Sequence, residues 1–214
     1  MISRRLFSFA LMATLCAPSL AADSSYVKLD TVIEGAEKTL IKLFSYDCPF
    51  CYRYDTGIDP WLIGKAQEAG LTFVSVHSES KATYGKTANL FLAYCELLDK
   101  AQNRSSQTPD SLFFRAKEAM YFAYLKQKQR WPGGEAEFIH MLTSATGISK
   151  QDFANHREDA DVQAITQHWR RIDPVRQVQG VPAYIVNGKY VIRISAVRSK
   201  AALASLVAEL AQKP

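Results

Sequence analysis

The stretch from Thr39 to Cys51 constrains this chain more than any other. Thr39-Leu40-Ile41-Lys42-Leu43-Phe44 is nearly continuous in apolar and β-branched residues, the pattern of a strand covered on both faces, and it extends to Tyr46. Cys48-Pro49-Phe50-Cys51 follows and opens a segment that reads as a helix. That context puts Cys48 at a helix N-terminus, where free N–H groups and the positive end of the helix dipole favour its thiolate. A stabilised thiolate leaves easily, and a disulfide whose departing sulfur leaves easily is an oxidant. The plainer alternatives are half a zinc site or a structural bridge. Zinc needs four ligands, and there is no second CxxC or HxxxH-type pair, so no metal is assigned.

The redox compartment follows from the N-terminus. Arg4 and Arg5 precede the apolar run from Leu6 to Ala17, and Pro18-Ser19-Leu20-Ala21-Ala22 supplies small residues for cleavage. Residues 1–21 read as a secretory signal cut after Ala21 or Ala22, since the run is well short of the ~20 residues that span a bilayer. Losing Arg4 and Arg5 lowers the net charge from +5 to +3, and losing Cys16 leaves Cys48, Cys51 and Cys95. Three cysteines in an oxidising compartment suggest one pair and one leftover thiol. Cys95 sits at the edge of a helical apolar stripe and reads as a buried structural thiol. His77, His140, His156 and His168 have no ligand spacing, although His77, at a strand end, could approach the site.

Tyr26 to Leu29 suits a short edge strand. The helix behind the cysteines is interrupted around Gly57 and Pro60, with Asp59 as the cap of its renewed part, and Leu71 to Val76 reads as a parallel partner strand. From Lys81 the pattern turns helical. Leu90, Phe91, Tyr94, Leu97 and Leu98 form one stripe, Phe113, Ala116, Met120, Ala123 and Tyr124 another, and Ser149 suits a further helix cap. Strand character returns at Val181 to Val186, then Asn187-Gly188, a strong hairpin signal, then Lys189 to Arg193, and a last helix starts near Ser199. The fold class is α/β, ordered βαβ, helical insertion, ββα. Residues 22–80 with 176–214 form one discontinuous domain, and 81–175 an inserted all-helical one.

These pieces, with CxxC opening the first helix and Pro182 starting the later hairpin, resemble the thioredoxin fold, and the helical insertion resembles the DsbA family of periplasmic thiol oxidases. Thr39 to Tyr46, Cys48 to Tyr52, and Gln179-Gly180-Val181-Pro182-Ala183-Tyr184 running into Val186 to Tyr190 are most similar to its DsbL branch. The resemblance implies a cis Val181-Pro182 bond against the cysteine pair, docking an extended substrate on the Val181 backbone. It implies no cofactor beyond the redox-active Cys48–Cys51 disulfide. It also implies reoxidation by a membrane quinone reductase of the DsbB or DsbI kind, and substrates that are reduced exported proteins, acidic ones or a dedicated one such as an arylsulfate sulfotransferase. The protein is expected to be a monomer in the periplasm.

Two departures from the better-known family pattern bear on Cys48. Phe50 stands where that pattern has histidine, so backbone N–H groups must carry more of the thiolate's stabilisation. Lys42 stands where many relatives have a buried acid; its cation would favour thiolate, while Asp47 beside Cys48 would oppose it. Charge is also uneven, net +5 over Arg176 to Pro214 and −4 over Ala22 to Ser80. That unevenness is either a solvated face or, on a sharper reading, Lys189, Arg193 and Arg198, on or after the hairpin beside the site, steering an acidic protein. Phe50 and Tyr46 are candidates for an apolar surface receiving unfolded substrates. A nucleic-acid role is set aside for want of an aromatic-basic groove. The reading is a thiol:disulfide oxidoreductase that donates its disulfide. Its rivals are an isomerase or reductase, the former lacking a visible dimerisation module, and a noncatalytic peptide-binding chaperone on the same fold.

Overall fold

The computed structural model describes residues 25–214, so the expected signal at 1–21 lies outside the described residues. In chain order the elements are β1 (Tyr26–Lys28), β2 (Thr39–Phe44), α1 (Pro49–Gly57), α2 (Asp59–Glu68) and β3 (Thr72–His77). Then come α3 (Gly85–Ala101), α4 (Leu112–Tyr121) with a π-helical turn at Phe122–Lys126, α5 (Glu135–Thr146), α6 (Lys150–His156) and α7 (Ala160–Ile172). A 3-10 turn at Asp173–Val175 leads into the short α8 (Arg176–Gln179), β4 (Ala183–Val186), β5 (Tyr190–Ile192) and α9 (Lys200–Ala211).

The strands form one sheet in the order β1-β5-β4-β2-β3, with β2 and β3 parallel and the other neighbours antiparallel. This is the thioredoxin arrangement, with helices α3 to α7 inserted between β3 and α8. Side chains alternate across a strand. Ile41, Leu43, Ala183, Ile185 and Val191 therefore join the core shared with α3, α4, α5 and α7, while Leu40, Tyr184, Val186 and Ile192 join the one under α2 and α9. Lys42 is paired in register with Tyr184 and lies on the α2 face, fully buried.

Local chemistry explains the boundaries. Ser149 and Ser199 cap α6 and α9, their hydroxyls accepting the Asp152 and Ala202 N–H at 3.0 and 3.1 Å. Asn187 and Gly188 take φ of 53° and 63°, the left-handed values a tight hairpin requires. A Cβ on Gly188 would also come within 2.6 Å of the Ile33 carbonyl. One expectation is corrected here. Asp59 does not cap the renewed helix: Ile58 occupies the cap position without a side-chain bond, and Asp59, the first residue of α2, is buried and bonds inward.

Candidate active site

Cys48 is the N-cap of α1, with extended backbone (φ −96°, ψ 109°), and Pro49 takes the first turn, where its missing N–H costs nothing. The Cys51 N–H donates to Cys48 Sγ at 3.3 Å. Both cysteines stand as thiols, Cys48 retaining 4% exposure and Cys51 none. The antiparallel pairing of Ala183 with Leu43 brings the remote β4 entry alongside, and the Val181-Pro182 bond is cis. The Cys48 thiol donates to the Val181 carbonyl at 3.3 Å. Gln179 braces the segment, donating to the Pro182 carbonyl at 3.4 Å and accepting from the Ile194 N–H at 3.1 Å.

The two thiols are pushed apart electrostatically. The neighbouring Cys51 thiol lowers the Cys48 pKa most, burial opposes it, and the Cys51 and Phe50 N–H groups and the Lys81 cation help bring it from 9.0 to about 6. Burial, then the Cys48 sulfur, raises Cys51 far above an ordinary thiol. At pH 7 a pKa lowered to about 6 favours the reduced form, because the released Cys48 sulfur is stabilised as thiolate. A dithiol tuned this way can exchange through Cys48 while Cys51 stays protonated.

Beneath Cys51 lies a buried charge network. The Lys42 ammonium donates to Asp55 at 2.8 Å, to Asp59, and to the Cys51 carbonyl at 3.3 Å. Lys117 and Tyr121 of α4 donate to Asp55 at 2.6 and 2.7 Å, and Tyr184 donates to Asp59. Burial works to strip the Lys42 proton, but Asp59 and Asp55 outweigh it and its pKa rises. Burial likewise presses Asp55 upward, and Lys117 and Lys42 overcome it and lower its pKa. Beside Cys48, Asp47 accepts from Ser45 Oγ at 2.7 Å and from Lys81 Nζ at 2.9 Å, so its carboxylate is not unscreened. Among the described residues no group of three or more His, Cys, Asp or Glu is arranged to hold a metal ion.

No protein-family model matches the chain. It is 39% identical over 210 residues to the thiol:disulfide interchange protein DsbL of Escherichia coli O6:H1, covering 97% of this chain and 94% of that one. It is 40% identical over 212 residues to DsbL of Lelliottia amnigena, covering 96% and 95%. The crystal structure of Salmonella enterica serovar Typhimurium DsbL superposes with a TM-score of 0.85 at 40% identity, covering 92% of this chain and all of that one. The chain belongs to the DsbA family, on its DsbL side. It is a thiol:disulfide oxidoreductase with a thioredoxin fold and a helical insertion.

The remaining candidates of this DsbA-family chain fall unevenly around the pair. Phe50 is 56% exposed, with the Arg53 guanidinium over its ring at 4.4 Å. Tyr46 is not surface: it is fully buried among His77, Trp131 and Phe138, and its hydroxyl accepts the Tyr84 N–H. His77 is buried against Asn89, and burial holds its pKa down at about 4, so it stays neutral. Cys95 is buried in α3, and burial raises its pKa.

The expectation that Lys189 lies beside the site is overturned by register. Val186 pairs with Leu40 and the Asn187 N–H reaches the Thr39 carbonyl, so the hairpin turn sits at the start of β2. Cys48 follows its other end, more than about 13 Å along the strand. Lys189 instead bonds the Pro214 carbonyl. Arg193 is exposed and follows Ile192, whose partner Tyr184 lies near Pro182, so it remains at the cysteine end of the sheet, whereas the exposed Arg198 lies beside Tyr54 and Ile58, where α1 gives way to α2. Sequence reasoning missed Asp55 and Asp59 as the partners of Lys42, Lys117, Tyr121 and Tyr184 as the donors that share those two carboxylates, and Lys81 as the partner of Asp47. A buried lysine in a strand was the one available signal for the first group.

Proposed function

We propose that this protein is a dithiol oxidase of the periplasm that donates a Cys48–Cys51 disulfide to reduced exported proteins. The observation that carries the reading is the asymmetry of the pair, a stabilised Cys48 sulfur at a helix N-terminus beside an enclosed, proton-holding Cys51. A substrate thiolate attacks Cys48 Sγ, the Cys48–Cys51 bond breaks, and Cys51 leaves as a thiolate that takes up a proton. A second substrate thiolate attacks the substrate's own sulfur in the mixed disulfide, and Cys48 departs as thiolate. The substrate is oxidised by two electrons and the enzyme reduced by two. A membrane quinone reductase of the DsbB or DsbI kind then restores the disulfide, and no other redox group is needed.

The Val181 backbone beside Cys48 docks the substrate as an added strand, and the exposed Phe50 ring meets its apolar side chains. Arg193 and Arg198 steer acidic substrates, a dedicated exported sulfotransferase among them, while Lys189 has no part. The test is to mix the oxidised protein with a reduced, unfolded substrate and count disulfides. One disulfide per enzyme is expected, with none from Cys48→Ser. Reshuffling of a scrambled substrate without net oxidation would favour the isomerase, and full function in Cys48→Ser would favour the chaperone.

A further inference from the structure

The motif between the cysteines carries no charge, yet a cation stands beside it from a distant part of the chain. Lys81 lies in the loop joining β3 to α3, and its ammonium reaches Asp47, the residue preceding Cys48, at 2.9 Å. The loop is tightly held. Ser78 and Ser80 donate to the Asp173 carboxylate, Arg170 pairs with Glu79 at 2.9 Å, and Arg176 donates to Ser80 Oγ at 2.6 Å. Gly85 closes the loop so tightly that a Cβ there would lie 1.9 Å from the Glu79 carbonyl oxygen. Residues from the end of the insertion thus fix where Lys81 stands.

We propose that Lys81 is a positioning residue that supplies the Cys48 thiolate with the positive charge its own motif lacks, and that Asp47 is the counter-ion holding it there. This rests on the oxidase reading and adds a residue to it. From that position the Lys81 cation lowers the Cys48 pKa, alongside the Cys51 and Phe50 N–H groups. The other groups facing this point keep constant charge over the range in which Cys48 titrates. His77 is neutral above about pH 4, and Lys42, whose pKa is raised, remains an ammonium.

The experiment follows the thiolate absorbance of the reduced protein across pH in the wild type, Lys81→Gln, Asp47→Asn, the double variant and Lys81→Arg. Lys81→Gln removes the cation and frees the carboxylate, so its Cys48 midpoint rises by roughly half a unit, about threefold less thiolate at a given pH near it. Asp47→Asn lowers the midpoint, the double variant returns toward wild type, and Lys81→Arg keeps the wild-type value. The shifts shrink in high salt, because Lys81 is 38% exposed. A lysine that merely braced the loop would not give opposite shifts from the two partners. Both single variants moving the same way, or neither moving, would overturn the proposal. A wild-type midpoint near that of an ordinary thiol would instead count against the oxidase reading, so the two fail separately.

Discussion

Two lysine–aspartate pairings flank the cysteines, and they differ in almost everything except chemistry. Lys42 is fully enclosed, shared by Asp55 and Asp59, and tied to the Cys51 carbonyl. Lys81 is 38% exposed and holds only Asp47, beside Cys48. Burial makes the first pairing structural, since removing one partner strands a charge away from water at a cost of several kcal/mol. Exposure makes the second nearly worthless for stability, at about 0–1 kcal/mol, yet leaves it free to tune a neighbouring sulfur. The same two residue types thus hold the floor of the site in one place and set its reactivity in the other.

The largest effect that tests this contrast is Lys42→Met. It leaves Asp55 and Asp59 short of a cation, and a loss of about 3 kcal/mol or more is expected in urea unfolding. An unchanged midpoint would show that the buried network does not depend on its lysine. Acid should act through the same network. Asp55 has a depressed folded pKa, so its share of stability is complete above the unfolded value near ~3.9 and is lost as pH falls through the folded value. Lys42 has a raised one, so its share is complete below ~10.4 and is lost as pH climbs through the folded value. With Cys48 held in the disulfide, and above the range in which His77 charges in the unfolded chain, the unfolding midpoint should be level from about pH 7.5 to pH 9 and fall outside that window; a slope inside it would point elsewhere.

Smaller again is Tyr184→Phe, which removes the hydroxyl bonded to Asp59 and should cost about 1.5–3 kcal/mol, as a hydrogen bond to a charged group does. Smallest is Lys81→Gln. Its unfolding midpoint should stay within about 0.5 kcal/mol of wild type while the Cys48 titration moves. A Lys81→Gln protein as unstable as Lys42→Met would erase the distinction between the two pairings.

What could be read in the sequence was local. The β2 apolar run, the cysteine spacing, the Asn187-Gly188 turn and the serine caps are each specified by residues a few positions apart. What could not be read depended on partners far along the chain. Nothing within a turn of Lys42 shows that Asp55, across the helix, and Lys117, on α4, close around it. Asp59 was misassigned because a carboxylate before proline also suits a helix cap. Lys189 looked adjacent to the site because Val181 is, but an antiparallel hairpin carries its turn to the far end of the sheet. Tyr46 reads as a surface aromatic in the sequence, but Tyr84, Tyr124, Trp131 and Phe138, all from the insertion, cover it. The DsbA-family resemblance supplied the cis Val181-Pro182 bond, which composition and spacing could not.

The measurement that bears most directly on the oxidase reading is the reduction potential of the purified Cys48–Cys51 pair, equilibrated against glutathione. The stabilised Cys48 thiolate should make the pair more oxidising than thioredoxin's ~−270 mV. A value at or below ~−270 mV would contradict an oxidase and mark the protein as a reductase on the same fold.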